Sequence, residues 1–122
     1  MCLIAFFDKP DLTFTDTELD TIRYNNPDGV GIMYRSGERV RVHRSLAEIN
    51  IPNIAPIAVH WRFATHGNVN KKGCHPHWIM SKDFGDPYDF ALMHNGTMDY
   101  WDDFGELSDT AIFCKTVLRP ML

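Results

Sequence analysis

Cys2 stands second in a chain that begins with Met. Its small side chain makes removal of Met1 the expected outcome, which leaves a free α-amine and a thiol on one residue. An α-amine titrates at about 7.7–8.0 and an unperturbed thiol near about 8.5. One residue then supplies a nucleophile and its base, as threonine does when activated by its own terminal amine. The plain alternative is a cysteine packed in a strand. Arg62 interrupts an otherwise apolar run, where a charge needs an anionic partner. A ligand or an internal ion pair meets that need. Asn95-Gly96 closes another apolar run, and by itself that dipeptide is most often a tight hairpin turn. Asp109 follows Ser108 at the start of a helical pattern, where an acidic residue commonly serves the helix end. Six histidines and Cys74 also offer metal donors, three of them within Cys74-His75-Pro76-His77. Their spacing fits no structural zinc pattern, and Pro76 restricts how the two histidines converge. A zinc-binding module is therefore a minor alternative, which metal analysis would decide.

Taken in order, these residues form a set. After Cys2 come Asn25-Asn26-Pro27-Asp28-Gly29-Val30-Gly31 and His60-Trp61-Arg62-Phe63-Ala64-Thr65-His66-Gly67. Cys74-His75-Pro76-His77, His94-Asn95-Gly96 and Ser108-Asp109-Thr110 follow. The series resembles the class II glutamine amidotransferases, members of the N-terminal-nucleophile hydrolases, from Cys2 to about Leu118. Any one motif alone is weak; the ordered set is specific.

The resemblance implies that Cys2 attacks the glutamine side-chain amide. Asn95 and Gly96 would form the oxyanion hole, from a side-chain amide and a backbone N–H. Arg62 would grip the substrate α-carboxylate, which suits its planar fork. Asp109 would hold the α-ammonium, and Thr65 and His66 would belong to the substrate-pocket loop. The implied reaction turns glutamine, or another γ-glutamyl amide, into glutamate and ammonia through a cysteine thioester, with no metal and no cofactor. The ammonia would serve a separate synthase partner or be released by simple hydrolysis. A catalytically silent relative kept for binding is the alternative from another class. Two positions depart from the family pattern: Ala111 stands where Glu is usual, and Gly73 where Asn often precedes the Cys-His-Pro element. Length departs further, since such domains usually continue well beyond the last helix here. The expectation is the first part of a four-layer sandwich, with no acceptor-binding domain.

These residues need elements to hold them. Cys2 to Phe7 reads as a buried strand, and Thr15 to Tyr24 as a short helix with Leu19 and Ile22 on one face. Val30 to Arg35 and Glu38 to His43 read as a hairpin across Ser36-Gly37. Ser45 and Glu48 predict a capping box on a brief helical turn. Ile57 to Phe63 and Phe90 to His94 are further strands, with a polar connection between them. Ser108 caps a closing helix from Asp109 to about Arg119, stopped by Pro120. The polar motifs thus fall at strand ends. The predicted architecture is α+β, an abbreviated N-terminal-nucleophile sandwich of antiparallel sheet and helices, with residues 1–122 as one domain.

The remaining arithmetic removes other classes. The 122 residues fit one core, and 44% hydrophobic with 23% charged residues is ordinary globular composition. Sixteen acidic against twelve basic residues give a net charge of −4. No basic block breaks that balance, so no nucleic-acid partner is expected. No apolar stretch reaches spanning length and no signal-peptide pattern opens the chain, so no membrane is expected. Three widely spaced cysteines without CxxC suit a reduced, cytoplasmic setting.

Overall fold

The structure is a computed structural model that describes residues 1–65, 68–98 and 107–122. Its main sheet has four antiparallel strands in the order β1-β4-β2-β3. These are β1 (Leu3–Phe7), β2 (Val30–Ser36), β3 (Arg39–Ser45) and β4 (Ile57–Trp61). β4 lies between β1 and β2 and is buried at all five residues, as its continuous apolar run requires. The β2–β3 hairpin turns at Gly37, whose φ of 60° is the left-handed conformation that favours glycine.

One face of this sheet carries the hydrophobic core. Val30, Ile32, Ile57, Val59 and Trp61 are buried there with Ile22 of α1 (Asp16–Asn25). Thr15 caps α1: it accepts from the Glu18 N–H, and the Glu18 carboxylate accepts from the Thr15 N–H. That reciprocal pair satisfies two otherwise orphaned donors. Each fully buried side chain contributes about 1.5–3 kcal/mol, so packing fixes α1 more than propensity does.

The other face meets a second, two-stranded sheet, β5 (His77–Met80) paired with β6 (Phe90–Leu92). Gly31 makes this approach possible, because a Cβ there would land on the His75 carbonyl oxygen. Asp89 ties the small sheet to the edge of the large one. Its carboxylate accepts from Arg39 Nε and from the Val40 and Lys82 N–H groups. β5 is packed in turn by the C-terminal helical segment, α2 (Asp109–Phe113) and the π-helical turn Cys114–Leu118. Arg119 anchors that segment by donating to the Ile79 carbonyl and pairing with Asp86. Contacts therefore run helix, sheet, sheet, helix.

Several expected elements differ. Ser45 and Glu48 form no helical turn: Ser45 ends β3, paired with Val30, and its hydroxyl accepts from the Ala47 N–H. Strand pairing outcompetes a cap at that residue. The supposed polar connection contains β5, only four residues long and too brief to show a period. Pro120 does not stop the last helix. A π-helical turn precedes it, and Pro120 sits within the first turn of α3 (Arg119–Met121), where a missing N–H costs little.

Candidate active site

Cys2 immediately precedes β1, so the β1–β4 pairing determines where it lies. Leu3 is opposite Trp61, and this register carries Cys2 to the chain just beyond β4. The Phe63 N–H donates to Cys2 Sγ at 3.3 Å, and Sγ lies 3.4 Å from the Phe63 carbonyl. From the opposite direction, Asn95 Nδ2 donates to the Cys2 carbonyl at 2.8 Å. Residues 93 positions apart thereby meet. Cys2 is half-buried, whereas Cys74 and Cys114 are buried. Burial raises the pKa of both buried thiols, that of Cys114 to about 11. They are packing cysteines, and Cys2 is the sulfur a ligand can approach.

Arg62 follows β4 and is fixed by its backbone. Its N–H donates to the Gly29 carbonyl at 2.8 Å, and its carbonyl accepts from the Asp28 N–H at 3.0 Å. Asp28 adds a side-chain bond, its carboxylate accepting from the Ala64 N–H at 2.7 Å. The Asn-Pro-Asp-Gly turn is thus zipped to the end of β4, a role for Asp28 that its motif signalled without specifying. The Arg62 side chain is only 3% exposed. Its Nη1 donates to the Asn68 carbonyl at 2.9 Å, and its guanidinium occupies space that a Cβ on Gly73 would take. The absence of a side chain at Gly73 therefore has a local steric meaning. Thr65 is exposed, while His66 and Gly67 lie outside the described residues.

Asp109 sits in the first turn of α2, after Ser108, whose hydroxyl accepts from the Ala111 N–H as expected of an N-cap. The Asp109 carboxylate does more than serve the helix end: it accepts from the Met98 N–H at 2.7 Å and the Thr110 N–H at 2.7 Å. Asp109 is thereby tied to the segment that follows Asn95-Gly96. Gly96 has a φ of 136°, open to glycine and not to side-chain-bearing residues, and it lies against the His94 ring. Met98 is paired with Asp109 and Asn95 with Cys2, so Asn95-Gly96 does not act as a β-hairpin turn.

Behind this segment lies a layer of buried histidines, present in the sequence motifs but with no role there beyond metal donation. His60 and His75 stack with ring centroids 4.1 Å apart, and His77 meets His75 edge-on at 4.6 Å. Burial lowers all three, His60 to about 4, His75 to about 2 and His77 to about 3, so the rings are neutral near pH 7. Several ring nitrogens are already engaged: His75 Nδ1 by the His94 N–H, His77 Nε2 by Ser108 Oγ and His94 Nδ1 by Thr110 Oγ1. Among the described residues no three His, Cys, Asp or Glu side chains converge as a metal site requires.

The chain brings Cys2, Phe63 and Asn95 into direct contact and links Asp109 to Met98, while the Arg62 guanidinium turns to the 68–73 loop. A cavity of about 270 Å³ opens elsewhere, beside α1 and the 46–51 segment, with Trp61 and Asn26 in its wall. None of the assigned residues among those described lines it. Among the described residues no helix is long and apolar enough to cross a membrane.

Compared with known proteins, the chain is similar to glutamine–fructose-6-phosphate aminotransferase (isomerizing) of Bacillus cereus (strain ATCC 10987 / NRS 248). The two are 29% identical in an alignment 93 residues long that covers 69% of this chain. The matched stretch is 14% of that protein's length, so this chain corresponds to a small part of it. No protein-family profile matches the chain, and no solved structure matches it.

Proposed function

We propose that this chain is a glutaminase-type amidotransferase unit with an N-terminal-nucleophile fold. The observation that carries this reading is the Asn95 amide at 2.8 Å from the Cys2 carbonyl. It joins the residue suited to attack an amide to the residue suited to stabilise the resulting oxyanion. The similarity to an aminotransferase whose name includes glutamine supports the same reading. So does the helix, sheet, sheet, helix order of contacts.

In the proposed reaction Met1 is first removed. The Cys2 α-amine takes the thiol proton, and the thiolate attacks the γ-carboxamide carbon of glutamine. Charge develops on the amide oxygen. The second N–H of the Asn95 side chain and the Gly96 N–H are the donors assigned to it. The tetrahedral intermediate collapses as the amine returns its proton to the leaving nitrogen, and ammonia departs. Water then hydrolyses the γ-glutamyl thioester to glutamate and restores the thiol. Arg62 and Asp109 are assigned the substrate carboxylate and ammonium. The ammonia would be released or passed to an acceptor.

A catalytically silent interaction role has one observation in its favour: Arg62 is 3% exposed and donates to the chain's own Asn68 carbonyl, which turns it away from a substrate carboxylate. One experiment separates the two. Met1-processed protein, verified by mass spectrometry, is incubated with glutamine, and glutamate and ammonia are measured against Cys2→Ala. The proposal expects equimolar products from the processed chain and none from the variant, with its folding unchanged. No turnover by the processed, folded chain supports the silent role, and equal turnover by Cys2→Ala excludes Cys2 as nucleophile.

A further inference from the structure

Asn95 and Gly96 can serve an oxyanion only if their backbone is held still, and the bonds that hold it converge on the residue before them. The His94 N–H donates to His75 Nδ1 at 3.1 Å. The His94 ring is engaged at Nδ1 by Thr110 Oγ1 at 3.3 Å, and Gly96 lies against that ring. His94 is thus gripped at its backbone from the β5 side and at its ring from α2.

His75 is itself immobilised. Its ring is stacked on His60 with planes 12° apart, and its carbonyl is packed against Gly31 of β2. It is 6% exposed. A backbone N–H can only donate, so Nδ1 must carry the lone pair and Nε2 the proton. We infer that His75 is a positioning residue, whose Nδ1 acceptor fixes the 94–96 segment and thereby aims the Asn95 amide and the Gly96 N–H at the reacting oxygen. It touches no substrate. The inference rests on the function proposed above and adds to it a link from the main sheet to the oxyanion donors. Burial keeps the imidazole neutral far below neutral pH, which preserves the acceptor under ordinary conditions. Misplacing a reacting group by about 1 Å costs on the order of 100-fold in rate, so a single supporting hydrogen bond has a measurable catalytic signature.

His75→Asn and His75→Gln separate this role from simple packing. Asn places its carbonyl oxygen near the Nδ1 position and Gln near the Nε2 position, while the two side chains are alike in polarity. In Met1-processed protein, His75→Gln is expected to lower kcat about 100-fold with KM changed less than about threefold. His75→Asn is expected to recover kcat to within about tenfold of the parent chain. A second readout needs no activity: the His94 amide should exchange slowly with deuterated solvent in the parent and in His75→Asn, and faster in His75→Gln. Equal loss of kcat in both variants, or a loss confined to KM, overturns the inference. So does indistinguishable His94 exchange. If the parent chain lacks glutaminase activity, the proposed reaction fails, while the exchange comparison still decides whether His75 holds the segment.

Discussion

At the residue scale, the proposed site divides its work between a charged grip and a neutral hydrogen-bond pair. Arg62 reaches its place through a backbone clasped by Asp28 and Gly29, and its guanidinium lies in the space Gly73 leaves open. Asn95 is held by the Cys2 carbonyl and by the segment that His75 and Asp109 brace. The two should therefore fail differently. Arg62→Ala removes binding common to ground and transition states, and is expected to raise KM for glutamine at least tenfold with a smaller change in kcat. Asn95→Ala removes a donor whose value appears as charge develops, and is expected to lower kcat by about 100–1,000-fold. Steady-state kinetics on both variants checks this. A rise in KM alone for Asn95→Ala would move the oxyanion role to another donor.

At the element scale, the small sheet and the large one meet at a glycine. Gly31 is the second residue of β2, opposite His60 of β4, with His75 backbone above it, and an added methyl would overlap a carbonyl oxygen rather than a side chain that could swing away. Gly31→Ala is expected to cost about 3 kcal/mol or more, the upper range of overpacking. Gly37→Ala is the control, since a Cβ there meets nothing within 4 Å and only its φ of 60° resists. Its cost should be about 1–2 kcal/mol. Urea unfolding of both variants checks the order, and equal losses would mean that the His75 carbonyl gives way cheaply at Gly31. This glycine also shows how far the sequence was legible. Alternation in β3, the Leu19 and Ile22 spacing of α1 and the apolar runs of β1 and β4 could all be read locally. The Cys2–Asn95 meeting came from recognising ordered motifs. β5 could not be read, because four residues carry no period and its buried His77 looks polar. The part played by Gly31 depends on what lies across the sheet, which no local pattern records.

At the scale of the whole molecule, three buried neutral histidines link the two sheets and tie folding to pH. His60, His75 and His77 are lowered from 6.5 to about 4, 2 and 3, foremost by burial. In the unfolded chain each binds a proton as pH falls through about 6.5, whereas in the folded chain it does not. The unfolded state thus holds more protons between about pH 6.5 and 4, and stability falls as pH is lowered through that window. At pH 5 the loss is on the order of 2 kcal/mol per histidine relative to pH 8. Three such losses are comparable with the whole stability of a small domain, about 5–15 kcal/mol. The carboxylates act in a separate window. Arg39 and Arg119 hold Asp89 and Asp86 below the usual range, so their contribution is present above pH 3.8 and is lost only below it. Thermal unfolding followed by circular dichroism should give a Tm that is flat from pH 8 to 7 and falls steeply between pH 6.5 and 5, before those carboxylates titrate. A Tm unchanged down to pH 5 would show that the histidine layer charges freely in the folded state. The bond from His75 to the 94–96 segment could then not be a fixed support.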